Sequence, residues 1–189
     1  MGAEQPASYY DEHIANFLVP YEGSIWKEVY DATVSLFPDD TSANIVDVGC
    51  GTGRLAEALR LSGRMNYVGF DFSSARIAEA RRYLPEHDFR VLDAFSDEAR
   101  ALMNAADVVS ITEVLEHVEG DLDLLSSLSP GKTVVFSVPS FDSPTHVRKF
   151  KTMDAVLERY SGLLDIDAGS AVTVTRRKNH TFVARGSRR

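Results

Sequence analysis

The chain predicts a single-domain α/β fold: a seven-stranded sheet, mostly parallel, closed by a C-terminal antiparallel hairpin, with helices on both faces. Three observations carry this. Short apolar, β-branched runs alternate with amphipathic helical stretches over most of the chain. The first run, Asn44–Val48, enters a turn with glycine at alternate positions (Gly49, Gly51, Gly53) and then a helix. Acidic residues mark the ends of three successive runs, at Asp47, Asp71 and Asp93.

The elements follow in order. Residues 1–40 stand outside the strand–helix alternation. Helical spacing covers Asp11–Val19 and Ser24–Leu36, separated by Pro20 and Gly23. Tyr9, Tyr10, His13, Phe17, Tyr21 and Trp26 crowd this otherwise polar stretch. They either pack the helices on the core or cover the active site. Pro38-Asp39-Asp40 marks the boundary, so the expected division is 1–40, a helical cap over the active site, and 41–189, the ligand-binding core.

After the first strand, Leu55, Ala58 and Leu59 share one helix face. A second strand, Tyr67–Phe70, ends at Asp71, and a helix over Ser73–Tyr83 is capped by Ser73 or Ser74. A third strand, Phe89–Leu92, ends in Asp93-Ala94, followed by a short helix, Glu98–Asn104. The fourth strand is Asp107–Ile111. Helical spacing then runs over Glu113–Leu128 with a break at Gly120, followed by a fifth strand, Lys132–Val138, and a helix, Thr152–Tyr160. Two strands, Ala171–Thr175 and His180–Arg185, flank Arg176-Arg177-Lys178-Asn179 as a hairpin.

A length of 189 residues suits one domain with a full core. No apolar run is long enough to cross a bilayer. The single cysteine, Cys50, excludes an intrachain disulfide; with no basic-then-apolar leader at the start, the expected compartment is the cytoplasm. A net charge of −8 argues against nucleic acid as a partner, because such binding draws its affinity from basic side chains on phosphates.

The glycine turn carries the most chemistry. Missing Cβ atoms let a ligand approach bare backbone, and the following helix start offers unpaired N–H groups and partial positive charge. The dinucleotide pattern G-x-G-x-x-G requires a third glycine where Arg54 stands. Asp47-x-Gly49-x-Gly51-x-Gly53 instead resembles motif I of the class I S-adenosylmethionine (SAM)-dependent methyltransferases, whose fold is Rossmann-like. The resemblance spans roughly Asn44 to Pro139 and implies SAM as cofactor. Gly49, Cys50, Gly51 and Gly53 would admit its methionine portion, and Asp47 would support the turn near its ammonium group. A carboxylate at Asp71 would accept from both ribose hydroxyls. Phe72 would pack on adenine, and Asp93 with Ala94 would read the adenine edge. Ser110, on the fourth strand, completes the implied cofactor set.

The acceptor pocket of such an enzyme lies past the fourth strand. There the chain lacks the element used to methylate planar amide or nucleobase nitrogens. It carries Glu113-x-x-Glu116-His117, which on a helix would share one face, and His146 follows the fifth strand. The set resembles the metal site of small-RNA 3′-terminal ribose 2′-O-methyltransferases and the Glu-His segment of ubiquinone-pathway O-methyltransferases. It implies Glu113, Glu116, His117 and His146 as ligands of a divalent ion such as magnesium, manganese or cobalt. Without metal, Glu113 or His117 would orient or deprotonate the acceptor as catalytic residues. Each also has a plain reading: Glu113 as a capping-box partner of Ser110, Glu116 as a solvated helix residue, His117 packed under a loop, His146 exposed. The leading expectation is methyl transfer from SAM to a small molecule, at oxygen rather than nitrogen. An RNA 3′-end methyltransferase, a nicotinamide-dependent dehydrogenase and a SAM-binding protein without turnover are the rivals.

Overall fold

The computed structural model describes residues 2–174 and 179–189. Its strands are β1 (Ile45–Val48), β2 (Tyr67–Asp71), β3 (Asp88–Val91), β4 (Val108–Thr112), β5 (Thr133–Pro139), β6 (Leu164–Thr173) and β7 (His180–Arg188). They form one sheet in the order β3-β2-β1-β4-β5-β7-β6. β1 to β5 run parallel, while β7 pairs antiparallel with β5 and β6. The strand order reverses between β1 and β4. There the two flanking connections leave the sheet on opposite sides and open a crevice at the carboxyl ends.

The helices are α1 (Ala7–Glu12), α2 (Lys27–Ser35), α3 (Arg54–Leu61), α4 (Ser74–Tyr83), α5 (Asp97–Ala105), α6 (Asp121–Ser126) and α7 (Met153–Tyr160). Each face of the sheet has its own core. On one, Ala99 and Met103 of α5, Leu124 and Leu125 of α6, and Val156 and Tyr160 of α7 pack on Val46, Phe70, Val109 and Phe136. On the other, Leu55 and Leu59 of α3 and Ile77 and Ala80 of α4 pack on Ile45, Tyr67 and Phe89. The central strands β1, β4 and β5 are buried along nearly their whole length because both faces are covered, while β3 at the edge buries only Phe89. No helix among the described residues is long and apolar enough to cross a membrane.

Capping chemistry fixes several helix starts. Ser73, not Ser74, caps α4 by accepting from the Arg76 N–H; Ser96 and Thr152 do the same for α5 and α7. Elsewhere tertiary contacts override the periodicity. The expected helix Asp11–Val19 is split into α1 and a 3-10 turn, Ile14–Phe17. The Phe17 and Leu18 carbonyls turn to the core instead of along a helix, accepting from Thr52 Oγ1 at 2.9 Å and Arg54 Nη2 at 3.1 Å. In the second expected helix, Ser24 Oγ accepts from the Trp26 N–H, and α2 starts only at Lys27.

The largest departure follows β4. Residues 113–120 are turns, and only α6 is helical in the expected span Glu113–Leu128. Glu113 has φ 56, a left-handed conformation that stops a helix from forming there. Ser137 Oγ accepts from its N–H at 2.9 Å and donates to its Oε1 at 2.8 Å. Ser110 instead meets Thr112, so the capping box is not made. β6 is twice as long as read from sequence: Leu164-Asp165-Ile166-Asp167-Ala168 alternates apolar and polar residues at the strand period, a local signal that a strand starting at Ala171 leaves out. The expected hairpin turn Arg176-Arg177-Lys178, with Thr175, lies outside the described residues.

Candidate active site

A cavity of about 520 Å³ opens at the carboxyl ends of β1, β2 and β4. Gly49, Gly51 and Gly53 all have positive φ (67, 54 and 81°), but they do different work. A Cβ on Gly49 would lie 2.4 Å from Val114 Cγ2, so that glycine makes room for the loop after β4. A Cβ on Gly51 would meet nothing within 4 Å, so that glycine presents open backbone to the cavity. Gly53 stands behind the lining, against Phe89.

Asp71 is buried, its Oδ2 accepting from the Gly51 N–H at 3.1 Å and its Oδ1 from the Ser73 N–H at 2.8 Å. Burial raises its pKa, the nearby Arg76 charge opposes that, and each oxygen keeps a lone pair for a further donor. Asp47 lies deeper, where burial pushes its carboxyl up to about 7. Tyr67 donates to its Oδ2 at 2.8 Å. Cys50 lines the cavity, but burial among two carboxylates pushes its thiol far above the ordinary range, which suits packing rather than nucleophilic attack.

The end of the cavity beside β2 and β3 is more open. Phe72 is exposed on one face and lies 5.3 Å from the Tyr10 ring. Asp93 is exposed at the rim, where its Oδ1 accepts from the Phe95 N–H at 2.8 Å, and Ala94 lies beside it. Ser110 does not line the cavity; fully buried between β1 and β5, it supports Asp47 from below.

At the other end, the turns after β4 and β5 bring Glu116, His117 and His146 together, with one ligand atom from each within 4.8 Å of the others. Glu113 is not in this group: the positive φ and the Ser137 contacts turn it aside, and the expected shared helix face does not exist. The plain readings of Glu116 and His146 fail as well. Glu116 is fully buried, and His146 is 5% exposed. Neither oxygen of Glu116 has a partner beyond the Glu113 carboxyl that faces it. Burial and the neighbouring Glu113 raise its pKa well above the carboxylate range. His117 Nδ1 lies 3.0 Å from Thr145 O, and His146 Nδ1 lies 3.0 Å from Phe141 O. A carbonyl can only accept, so both rings are assigned the Nδ1–H tautomer with Nε2 left as a lone pair. Burial lowers both pKa values, that of His117 to about 4, which keeps the rings neutral.

The N-terminal segment forms the outer wall. Tyr9, Tyr10, Phe17, Ile25, Trp26 and Tyr30 all line the cavity. Arg76 reaches from α4 between the rings of Tyr10 (4.6 Å) and Phe17 (4.5 Å). Asp11 Oδ1 accepts from Ser73 Oγ at 2.6 Å and the Ala75 N–H at 3.1 Å, a second cap on α4 supplied from α1. None of Tyr67, Arg76, Ser137 or Asp11 was legible as a site residue; each acts through a contact between residues at least 20 positions apart.

Comparison with known proteins agrees with this geometry. A family profile described as "Methyltransferase domain" matches residues 23–166. The ubiquinone biosynthesis O-methyltransferase of Sodalis glossinidius is 33% identical over 101 residues, covering 50% of this chain and 40% of that protein. The chain therefore matches less than half the length of that curated relative. Among solved structures, magnesium protoporphyrin IX methyltransferase from Synechocystis PCC 6803, with bound SAM, superposes with TM-score 0.69 at 16% identity, covering all of both chains. The cyclase SpnF superposes with TM-score 0.75 at 15% identity, covering 99% of this chain and 98% of its own. The chain belongs to the methyltransferase-domain family and has the Rossmann-like fold of the class I SAM-dependent methyltransferases.

Proposed function

We propose that this protein transfers the methyl group of SAM to a hydroxyl of a small-molecule acceptor, with a divalent ion held by Glu116, His117 and His146. The observation that carries the oxygen-directed, ion-assisted part is the pair of imidazoles anchored at Nδ1, beside a buried carboxyl that faces only another carboxyl, Glu113. A buried carboxyl left unpaired is costly, and a cation relieves that cost. Anchoring the far nitrogen on a carbonyl is the usual way of orienting a metal-bound histidine. A bound divalent ion would supply Lewis acidity that lowers the acceptor hydroxyl's pKa.

The remaining steps belong to the chain. Asp71 accepts from the ribose hydroxyls, and Asp47 faces the ammonium group across the glycine turn. Gly51 admits the methionine portion, while Phe72 and Ala94 flank the adenine, with Asp93 at its edge. Phe141, Trp26 and Tyr10 exclude water and hold the acceptor in line with the methyl–sulfur bond. The Glu113 carboxyl lines the cavity, and Ser137 occupies its Oε1. Its Oε2 takes the acceptor proton. Burial raises the Glu113 pKa above the ordinary carboxylate range, which makes it a stronger base. The N-terminal residues 1–40 serve as the cap that closes the site.

The similarity to ubiquinone biosynthesis O-methyltransferases supports an oxygen acceptor, and the net charge of −8 argues against RNA. The test is incubation with methyl-labelled SAM, cobalt or manganese, and a metabolite extract, with mass spectrometry of the labelled products. Labelled methyl ethers or esters that disappear with chelation and in His146→Ala support the reading. Labelled amines, or labelling indifferent to chelation and to His146→Ala, overturn it.

A further inference from the structure

Arg148 sits in the loop after β5, its side chain only 12% exposed, and the chemistry above gives it no part. Its Nη1 donates to the carbonyls of Leu115 and Val118, and its Nη2 donates to the carbonyl of Glu119 at 3.0 Å. These three carbonyls bracket Glu116 and His117 in the turns after β4. The next residue back, Val147, donates its N–H to the Glu116 carbonyl at 2.8 Å. One short stretch of the second loop therefore holds four backbone carbonyls of the first, those of Leu115, Glu116, Val118 and Glu119.

Arg148 also lies 3.3 Å from the buried Asp121, which invites a purely structural account as a charge partner. That role is already filled. Arg159 donates to both Asp121 oxygens at 2.7 Å, and Tyr160 donates at 3.0 Å. What remains unique to Arg148 is its planar fork, which reaches several carbonyls at once; a lysine ammonium is a point donor on a flexible stem and cannot reproduce the fork.

We infer that Arg148 is a positioning residue: its guanidinium fixes the backbone of 115–119 so that His117 and Glu116 face His146. The part of this inference that concerns ion affinity rests on the proposed ion site; the part that concerns His117 orientation does not.

The experiment compares wild type, Arg148→Met and Arg148→Lys, each checked by calorimetric SAM binding. Asp121 keeps Arg159 in the variants, while Glu116 loses the favourable charge of Arg148 in Arg148→Met and keeps a cation in Arg148→Lys. In metal-free protein labelled at histidine nitrogens, wild-type His117 is expected to show one Nδ1–H tautomer. In Arg148→Met it is expected to show mixed or broadened tautomers, while His87 on the far side of the sheet is unchanged. Cobalt affinity is expected to fall tenfold or more in Arg148→Met, the usual effect of losing a group that orients a ligand, and by less in Arg148→Lys. SAM affinity is expected to stay within about twofold, since the cofactor residues lie on other elements.

A retained His117 tautomer with wild-type cobalt affinity overturns the inference. Parallel losses of SAM and cobalt affinity also overturn it, because they mark a general loss of the fold. If wild type takes no cobalt while Arg148→Met still scrambles His117, the ion reading fails and the positioning role stands. If Arg148→Met does not fold, Arg148→Lys carries the same comparison.

Discussion

The hydroxyl of Tyr67 donates to Asp47 Oδ2 at 2.8 Å, tying the first residue of β2 to the acid beneath the glycine turn. The tyrosine runs along the buried face of the sheet, and Gly69 leaves space for it: a Cβ there would lie 2.5 Å from the hydroxyl. Tyr67→Phe removes the donor and leaves a buried carboxyl oxygen unpaired, at a cost of about 1–3 kcal/mol. The expected outcome is a lower unfolding midpoint together with SAM affinity weakened about tenfold. Undisturbed SAM binding in a folded Tyr67→Phe protein would show that Asp47 needs no such support.

Asp47 also sets a pH dependence. Its folded pKa, about 7, lies above the ordinary 3.8 because of burial. Between those values the folded state keeps a proton that the unfolded state has lost, so Asp47 makes the ligand-free protein less stable as pH rises through that window. An ammonium group beside the carboxylate favours its charged form. SAM binding should therefore release a proton below about pH 7, and affinity should rise with pH by up to about tenfold per unit there, then level off. Calorimetry in buffers of different ionisation enthalpy measures that proton. Asp47→Asn should flatten the profile, and a persisting slope would assign the proton elsewhere.

Gly49 and Gly51 should separate in their effects. Alanine at either position carries the left-handed strain, about 1–2 kcal/mol. At Gly51 nothing else is hit, so Gly51→Ala should fold and lose SAM binding by about tenfold or more, at least about 1.4 kcal/mol. At Gly49 the Cβ also strikes Val114, adding about 1–3 kcal/mol of overpacking. The double variant Gly49→Ala, Val114→Ala should recover part of that stability in thermal denaturation. Equal destabilisation by the two single variants would contradict the assigned roles.

Asp11 caps α4 from the N-terminal segment, so it links closure of the cavity to the turn that carries Asp71 and Ser73. Asp11→Ala should cost about 1 kcal/mol, the usual value of a lost cap. It should also speed SAM dissociation several-fold, with Asp11→Asn close to wild type. Trp26, the chain's one tryptophan, lines the cavity and reports the rate by stopped-flow fluorescence. An unchanged off-rate would separate the N-terminal segment from cofactor retention.

Much of this was written locally. Apolar runs bounded by turn formers gave the central strands, because a strand buried on both faces must be apolar, while the edge strand β6 was read at half its length. Alternate glycines after Val48 and the acids at Asp47, Asp71 and Asp93 lie within a few residues of the turns they serve, so local order sufficed to place them in one crevice. The stretch after β4 was misread for the opposite reason. Glu113, Glu116 and His117 have helical spacing, but spacing is silent about Ser137 on the neighbouring strand, which fixes Glu113 in a left-handed turn.

By itself the sequence determined the parallel α/β sheet, the glycine turn and the family that the turn belongs to, since these depend on residues adjacent in the chain. Tertiary structure alone decided that Glu116, His117 and His146 meet while Glu113 faces Glu116 from a left-handed turn, that Tyr67 holds Asp47, and that Arg148 grips the loop after β4. Each of those depends on where two distant backbones cross, and that is set by the packing of the whole domain.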